Sequence, residues 1–99
     1  MRSREIRRIL DAGRPARGER VIVFLAPGPD RVAVIAGKRV GGAVQRNRAR
    51  RVLREAWRQV EQTVTGRDAV LVARAPIVGA KSQDLVSEIT ELLEGTGRR

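Results

Sequence analysis

Between Lys38 and Arg58 the chain reads KRVGGAVQRNRARRVLREAWR, and this stretch limits the possible folds more than any other. After the Gly41-Gly42 pair, apolar residues recur at Ala49, Val52, Leu53, Ala56, Trp57, Val60 and Val64. That spacing predicts a helix from about Ala43 to Thr63 with one face buried against a core. At about 100° per residue, Asn47, Arg51, Arg54 and Arg58 fall within roughly 60° of one another on the opposite face. The 21 positions hold eight bases and one acid, Glu55, a net charge of +7 in a chain of +10. A solvated helix gains support by alternating charge signs at i,i+4. Here Arg46, Arg48, Arg50, Arg51, Arg54 and Arg58 repel one another, which favours a polyanion lying against them over a merely solvated face. Arg46 falls in line with Leu53, beside the apolar stripe. An unpaired guanidinium is not accommodated in a dry core, so the first turn is expected to overhang the sheet and leave Arg46 lining a cleft.

The rest of the composition narrows the class. Ninety-nine residues make one domain with a modest core. With only Phe24 and Trp57 as aromatics, that core must be built from Val, Leu, Ile and Ala. Cysteine and histidine are both absent, which excludes disulfides, thiolate zinc sites, imidazole acid–base pairs and Cys nucleophiles. Asp11, Asp30, Asp68 and Asp84 are scattered without the spacing of a two-metal nuclease site, so no catalytic residue and no metal ligand is assigned. No apolar run approaches the ~20 residues that span a bilayer, and the N-terminus lacks a signal-peptide core. An intracellular, cytoplasmic location without a membrane partner is expected. The exposed side of the basic helix carries Arg and Asn rather than large apolar groups, which favours nucleic acid over a membrane surface. Nineteen of the 21 bases are Arg; bidentate phosphate binding would select this, and GC-rich coding would produce it equally.

Along the chain, residues 3–12 predict a short basic amphipathic helix with Ile6, Ile9 and Leu10 on its apolar side and Gly13 as its stop. Arg14–Glu19 reads as a connection with a few extended residues. Val21–Ala26 is a buried strand, and the PGPD turn at 27–30 makes Arg31–Ala36 its expected antiparallel hairpin partner. After the charged helix, Asp68–Arg74 reads as another buried strand, parallel to 31–36. Ala75–Ala80 is loop, Lys81–Glu94 a second amphipathic helix with an acidic outer face, and Gly95–Arg99 frayed. The outcome is a single α+β domain over residues 1–99, with helices covering one face of a mixed sheet and a βαβ crossover that the usual rule would make right-handed.

Three features carry more than one reading. Gly41-Gly42 serves either phosphate approach to a helix start or simply a tight turn; no nucleotide-binding glycine motif occurs in the chain. Trp57, on the apolar stripe, is read as core rather than a base-stacking platform. Phe24 is core if inward and a stacking surface if it faces a cleft.

The string at 38–58 closely resembles the signature of the bacterial ribonuclease P protein component, K-K-V-G-N-A-V-x-R-N-R-x-K-R-x-x-R-E-x-F-R. It stands here as Lys38-Arg39-Val40-Gly41-Gly42-Ala43-Val44-Gln45-Arg46-Asn47-Arg48-Ala49-Arg50-Arg51, then Arg54-Glu55-Ala56-Trp57-Arg58. The flanking helix, Val-rich strands, D-x-V-x-x-A-R strand and final helix agree, so the resemblance covers essentially the whole chain. It implies a single-domain α/β sandwich of order αβββαβα, with an extra short strand within 14–18 and an unusual left-handed crossover. It implies a protein subunit that assists a catalytic RNA in Mg²⁺-dependent endonucleolytic removal of the 5′ leader from precursor tRNA. The Mg²⁺ would be bound mainly by the RNA and the substrate, and no protein partner is implied. Carried over, Lys38, Arg39, Arg46, Asn47, Arg48, Arg50, Arg51, Arg54 and Arg58 would contact RNA. Ile6, Leu10, Phe24 and Arg46 would line a cleft between the first helix and the sheet that grips the single-stranded leader. The chain departs from the family in having Ile6 and Leu10 where aromatics are common, and Gly42 where Asn usually precedes the helix. Weaker base stacking is expected. A ribosomal protein would share the composition but not the signature, and an autonomous nuclease would need catalytic groups that the chain lacks.

Overall fold

The computed structural model describes residues 1–97. Helix α1 spans Ser3–Ala12. Its start is closed by Glu5, whose Oε1 accepts the Arg2 backbone N–H at 3.0 Å. It ends at Gly13, whose backbone is extended rather than left-handed. Glycine is required there by space, because a Cβ would come within 2.5 Å of the Ile9 carbonyl oxygen. The chain then enters β1 (Arg14–Arg17), the short strand implied within 14–18, with Pro15 on the sheet edge.

Strand β2 (Val21–Pro27) pairs antiparallel with β1 on one side and with β4 (Arg67–Ala73) on the other, while β3 (Val32–Ile35) pairs parallel with β4. The sheet order is β1-β2-β4-β3. The expected β2–β3 hairpin therefore does not form, because β4 lies between its two strands. The turn shows why. Asp30, at φ 64°, turns its Oδ1 onto the backbone N–H groups of Gly66 (2.6 Å) and Arg67 (3.4 Å), and the Gly28 N–H donates to the Gly66 carbonyl at 3.1 Å. The PGPD segment is thus fastened to the entry of β4 and carries the chain across it, a step of about two strand spacings, or roughly 10 Å.

Helix α2 (Ala43–Val60) forms the crossover from β3 to β4 and is followed by a 3₁₀ turn at Glu61–Thr63. The apolar stripe is the buried face: Ala49, Val52, Leu53, Ala56, Trp57 and Val60 all enter the core. Trp57 is 4% exposed, so it is core and offers no stacking platform. Helix α3 (Ser82–Gly97) continues past Gly95, which is helical rather than frayed; residues 98 and 99 lie outside the described residues. Leu85 and Ile89 of α3 join α2 over Val21, Val23, Ala69, Leu71 and Ala73 of the sheet.

Helices cover both faces of the sheet rather than one. Alternation along β2 and β4 turns Val23 and Leu71 to the α2–α3 layer and Ile22, Phe24, Val70 and Val72 to the other. There α1 packs against β2 and β4. The second layer was missed because one short helix buries a single side chain fully, Ile9, with Ile6 and Leu10 half-buried.

Candidate nucleic-acid interface

Helix α2 begins from a turn that only glycine accommodates easily. Gly41 has φ 139°, and a Cβ there would collide with Gln45 Oε1. Gln45 Oε1 accepts the Gly42 N–H at 2.9 Å, so this amide is engaged within the protein. The glycine pair thus has a structural role in launching the helix.

From that start, burial of the apolar stripe fixes the direction of the polar face. Asn47, Arg50, Arg51, Arg54 and Arg58 line one surface groove of about 480 Å³, with Glu55 on its wall. Arg50 Nη2 donates to Asn47 Oδ1, which orients the two groups together. Among the described residues, no α2 arginine lies within ion-pair distance of a carboxylate; the bridges present involve Arg20 and Arg31. Four guanidiniums on one open groove, with Glu55 as the one acid on its wall and no ion pair among the described residues, form a surface whose mutual repulsion is relieved by phosphate.

The remaining positions sit around this groove rather than in it. Arg48 lies on another flank of α2, with Gln45 beside Ile77 and Val78. Lys38 and Arg39 are exposed on the 3₁₀ turn Lys38–Val40 that leads into the helix. Arg46 is half-buried, and its Nε is covered without a hydrogen-bond partner. It therefore lies partly under the surface, as its place beside the apolar stripe requires, with donor capacity unfilled.

Ile6, Leu10 and Phe24 all belong to the α1 side of the sheet and are half-buried. Helix α2, which carries Arg46, packs in the opposite layer. The sequence reading overlooked a group on the α1 side, Glu5, Arg31 and Asp68. Arg31 bridges both carboxylates. The Arg31 guanidinium holds the Asp68 carboxyl below the usual range despite burial, and the Arg2 N–H and then Arg31 lower that of Glu5. Asp68 and then Glu5 in turn push the Arg31 guanidinium up. The one available signal was an acid near the start of a strand of otherwise apolar residues.

No cluster of three or more potential metal ligands occurs among the described residues. The acids nearest to such a site, Glu5 and Asp68, are already engaged by Arg31, so this donor set does not fit a resident Mg²⁺.

A family model described as ribonuclease P matches residues 1–97. The chain belongs to the ribonuclease P protein family. The ribonuclease P protein components of Chloroflexus aurantiacus and a Nitratiruptor species are 39% and 41% identical to it over 97 and 80 residues. Those alignments cover 93% and 79% of this chain and 72% of each relative. The fold is that of the RNase P protein of Staphylococcus aureus, at TM-score 0.81 and 19% identity over 97% of this chain and 92% of that one. The Thermotoga maritima protein matches at TM-score 0.79 and 22% identity, over 94% and 93%. As a ribonuclease P protein component, the chain is an RNA-binding part of a tRNA-processing endoribonuclease. No helix of the described residues is long and apolar enough to cross a membrane.

Proposed function

We propose that this subunit binds the catalytic RNA of ribonuclease P through the arginine face of α2, with Lys38, Arg39, Arg46 and Arg48 extending the contact. The 5′ leader of precursor tRNA lies along the α1 side of the sheet, against Ile6, Leu10 and Phe24; Arg46, carried by α2 in the opposite layer, belongs to the catalytic-RNA contact rather than to this cleft. Phosphodiester hydrolysis is performed by the RNA with Mg²⁺ held by RNA and substrate phosphates, in the cytoplasm. The observation that carries this reading is the groove of Asn47, Arg50, Arg51, Arg54 and Arg58, in which no arginine is paired with a carboxylate among the described residues. The lack of His and Cys throughout the chain supports placing the chemistry outside the protein.

The protein's contribution is electrostatic and positional. Ribozyme and substrate are both polyanions, and guanidiniums held between them reduce the repulsion that free cations would otherwise screen. Reconstitution with candidate RNA from the same genome tests this directly. Adding the protein should shift the Mg²⁺ titration of leader cleavage to lower concentration, whereas RNA-free protein should leave precursor tRNA intact. An unchanged titration would remove the proposed role.

A further inference from the structure

The groups that hold α1 in place are arranged around one side chain. Arg31 follows directly on the β2–β3 turn, and its guanidinium is shared between two elements. Its Nη2 donates to Asp68 Oδ2 at 2.8 Å and its Nε to Asp68 Oδ1 at 3.4 Å, while Nη1 donates to Glu5 Oε2 on α1. The Arg31 backbone N–H also donates to Asp68 Oδ1, at 2.9 Å. Asp68 is fully buried at the entry of β4, and the turn closes over it tightly enough that a Cβ on Gly28 would collide with its carboxylate. One end of the fork is therefore immobile. The other end holds the first turn of a helix.

That helix has little else to hold it. Ile9 is its only fully buried residue, and Glu5 precedes it by four positions, so the two lie on one row facing the sheet. Ile6 and Leu10 form the next row, about 100° around the helix. The Glu5–Ile9 row thus sets the direction in which the Ile6–Leu10 row points. With Glu5 released from Arg31, Ile9 remains the one fully buried anchor of α1, with Ile6 and Leu10 only half-buried beside it.

We propose that Arg31 is a positioning residue for the leader. Braced on buried Asp68, it holds Glu5 and so fixes the angle and distance of α1 from the sheet, presenting Ile6 and Leu10 to a single-stranded RNA segment. This rests on the reading that the leader lies along the α1 face. Such a device suits a cleft with few aromatics, because preorganised walls lower the ordering cost of binding where stacking is weak. A planar fork held on both prongs fixes geometry in a way that a lone apolar contact does not.

The test uses the ribonucleoprotein reconstituted with its catalytic RNA and precursor tRNAs carrying leaders of increasing length. The quantity measured is the gain in affinity from a long leader over a leaderless substrate. Glu5→Ala, in the first turn of α1, should lower the melting temperature modestly while keeping a single cooperative transition, and should leave the affinity for catalytic RNA essentially unchanged. If the docked helix population falls to roughly a tenth or a fifth, the leader-dependent gain should drop about fivefold to tenfold. Glu5→Gln retains an acceptor for Arg31 Nη1 and should restore most of the gain. Hydrogen exchange of the free protein should show faster exchange in α1 but not in β4 for Glu5→Ala. An unchanged leader gain in Glu5→Ala, with a normal gain in the wild type, would overturn the positioning role while leaving the cleft reading intact. So would equal losses for leaderless and long-leader substrates. No leader dependence in the wild type would overturn the cleft assignment, and the positioning role with it.

Discussion

The double substitution Arg51→Ala/Arg54→Ala is the most direct measure of what the α2 face does. Both residues line the open groove, neither is paired with a carboxylate among the described residues, and both lie opposite the buried stripe. Alanine is at least as good a helix former as arginine, and removing two like charges relieves repulsion, so the fold should be retained. The six α2 arginines, if each neutralises one phosphate, imply a slope of log K against log[salt] of about −4 to −5. Deleting two should flatten it to about −3. If the two lines meet near 1 M salt, the variant binds catalytic RNA about 15-fold more weakly at about 0.15 M but only about threefold more weakly at about 0.5 M.

The assay is a set of binding isotherms for labelled catalytic RNA at four or more salt concentrations, with circular-dichroism melts of both proteins as the control. A penalty of constant size at every salt concentration would refute the reasoning, because counterion release would then be absent. A collapsed melting transition would show instead that the arginine face is structural.

Other outcomes follow from the packing. Glu5 and Asp68 both have folded-state pKa values lowered below the ordinary carboxylate range, so their contribution is complete above about pH 5 and is lost as pH falls through the unfolded and then the folded values. Melting temperature should therefore fall on acidification below about pH 5, and Asp68→Asn should start lower at neutral pH and show a shallower acid slope. Removing the buried Asp68 charge from its partner should cost about 3 kcal/mol in urea unfolding at neutral pH. Gly28→Ala should also destabilise, because its Cβ would collide with the Asp68 carboxylate; an unchanged urea midpoint would contradict the tight turn. Leu53→Ala, at a fully buried site beneath the arginine face, should cost about 2–5 kcal/mol in the same measurement.

What the sequence revealed follows a physical division. The α2 stripe and its opposed arginines were legible because helical geometry converts spacing directly into faces, and every apolar position from Ala49 to Val60 is buried as its spacing requires. The strand at 67–73 was legible as a buried apolar run. Strand order was not, because a continuous apolar run does not name its neighbours. The PGPD turn looked like a local hairpin while its hydrogen bonds go to Gly66 and Arg67, 36 and 37 residues away from Asp30. The same limit hid the α1 fork, whose partners are separated by 26 and 37 residues and each of which, read alone, is an ordinary surface charge.

The placement of the acids completes the account of the basic face. Five of the 11 acidic residues accept backbone N–H groups: Glu5 from Arg2, Asp30 from Gly66 and Arg67, Asp68 from Arg31, Asp84 from Lys81, and Glu88 from Arg20 and Val21. They hold helix starts, turns and strand entries in place, and none of them lines the α2 groove. Among the described residues, Glu55 alone of the acids borders that groove, and it pairs with no arginine. Nearly half of the acids in this small chain thus organise the backbone, while the α2 arginines have no ion pair with a carboxylate among the described residues. A fold assembled this way keeps its RNA-binding potential, because these five carboxylates are committed to the amides they cap and none of them lines the arginine groove.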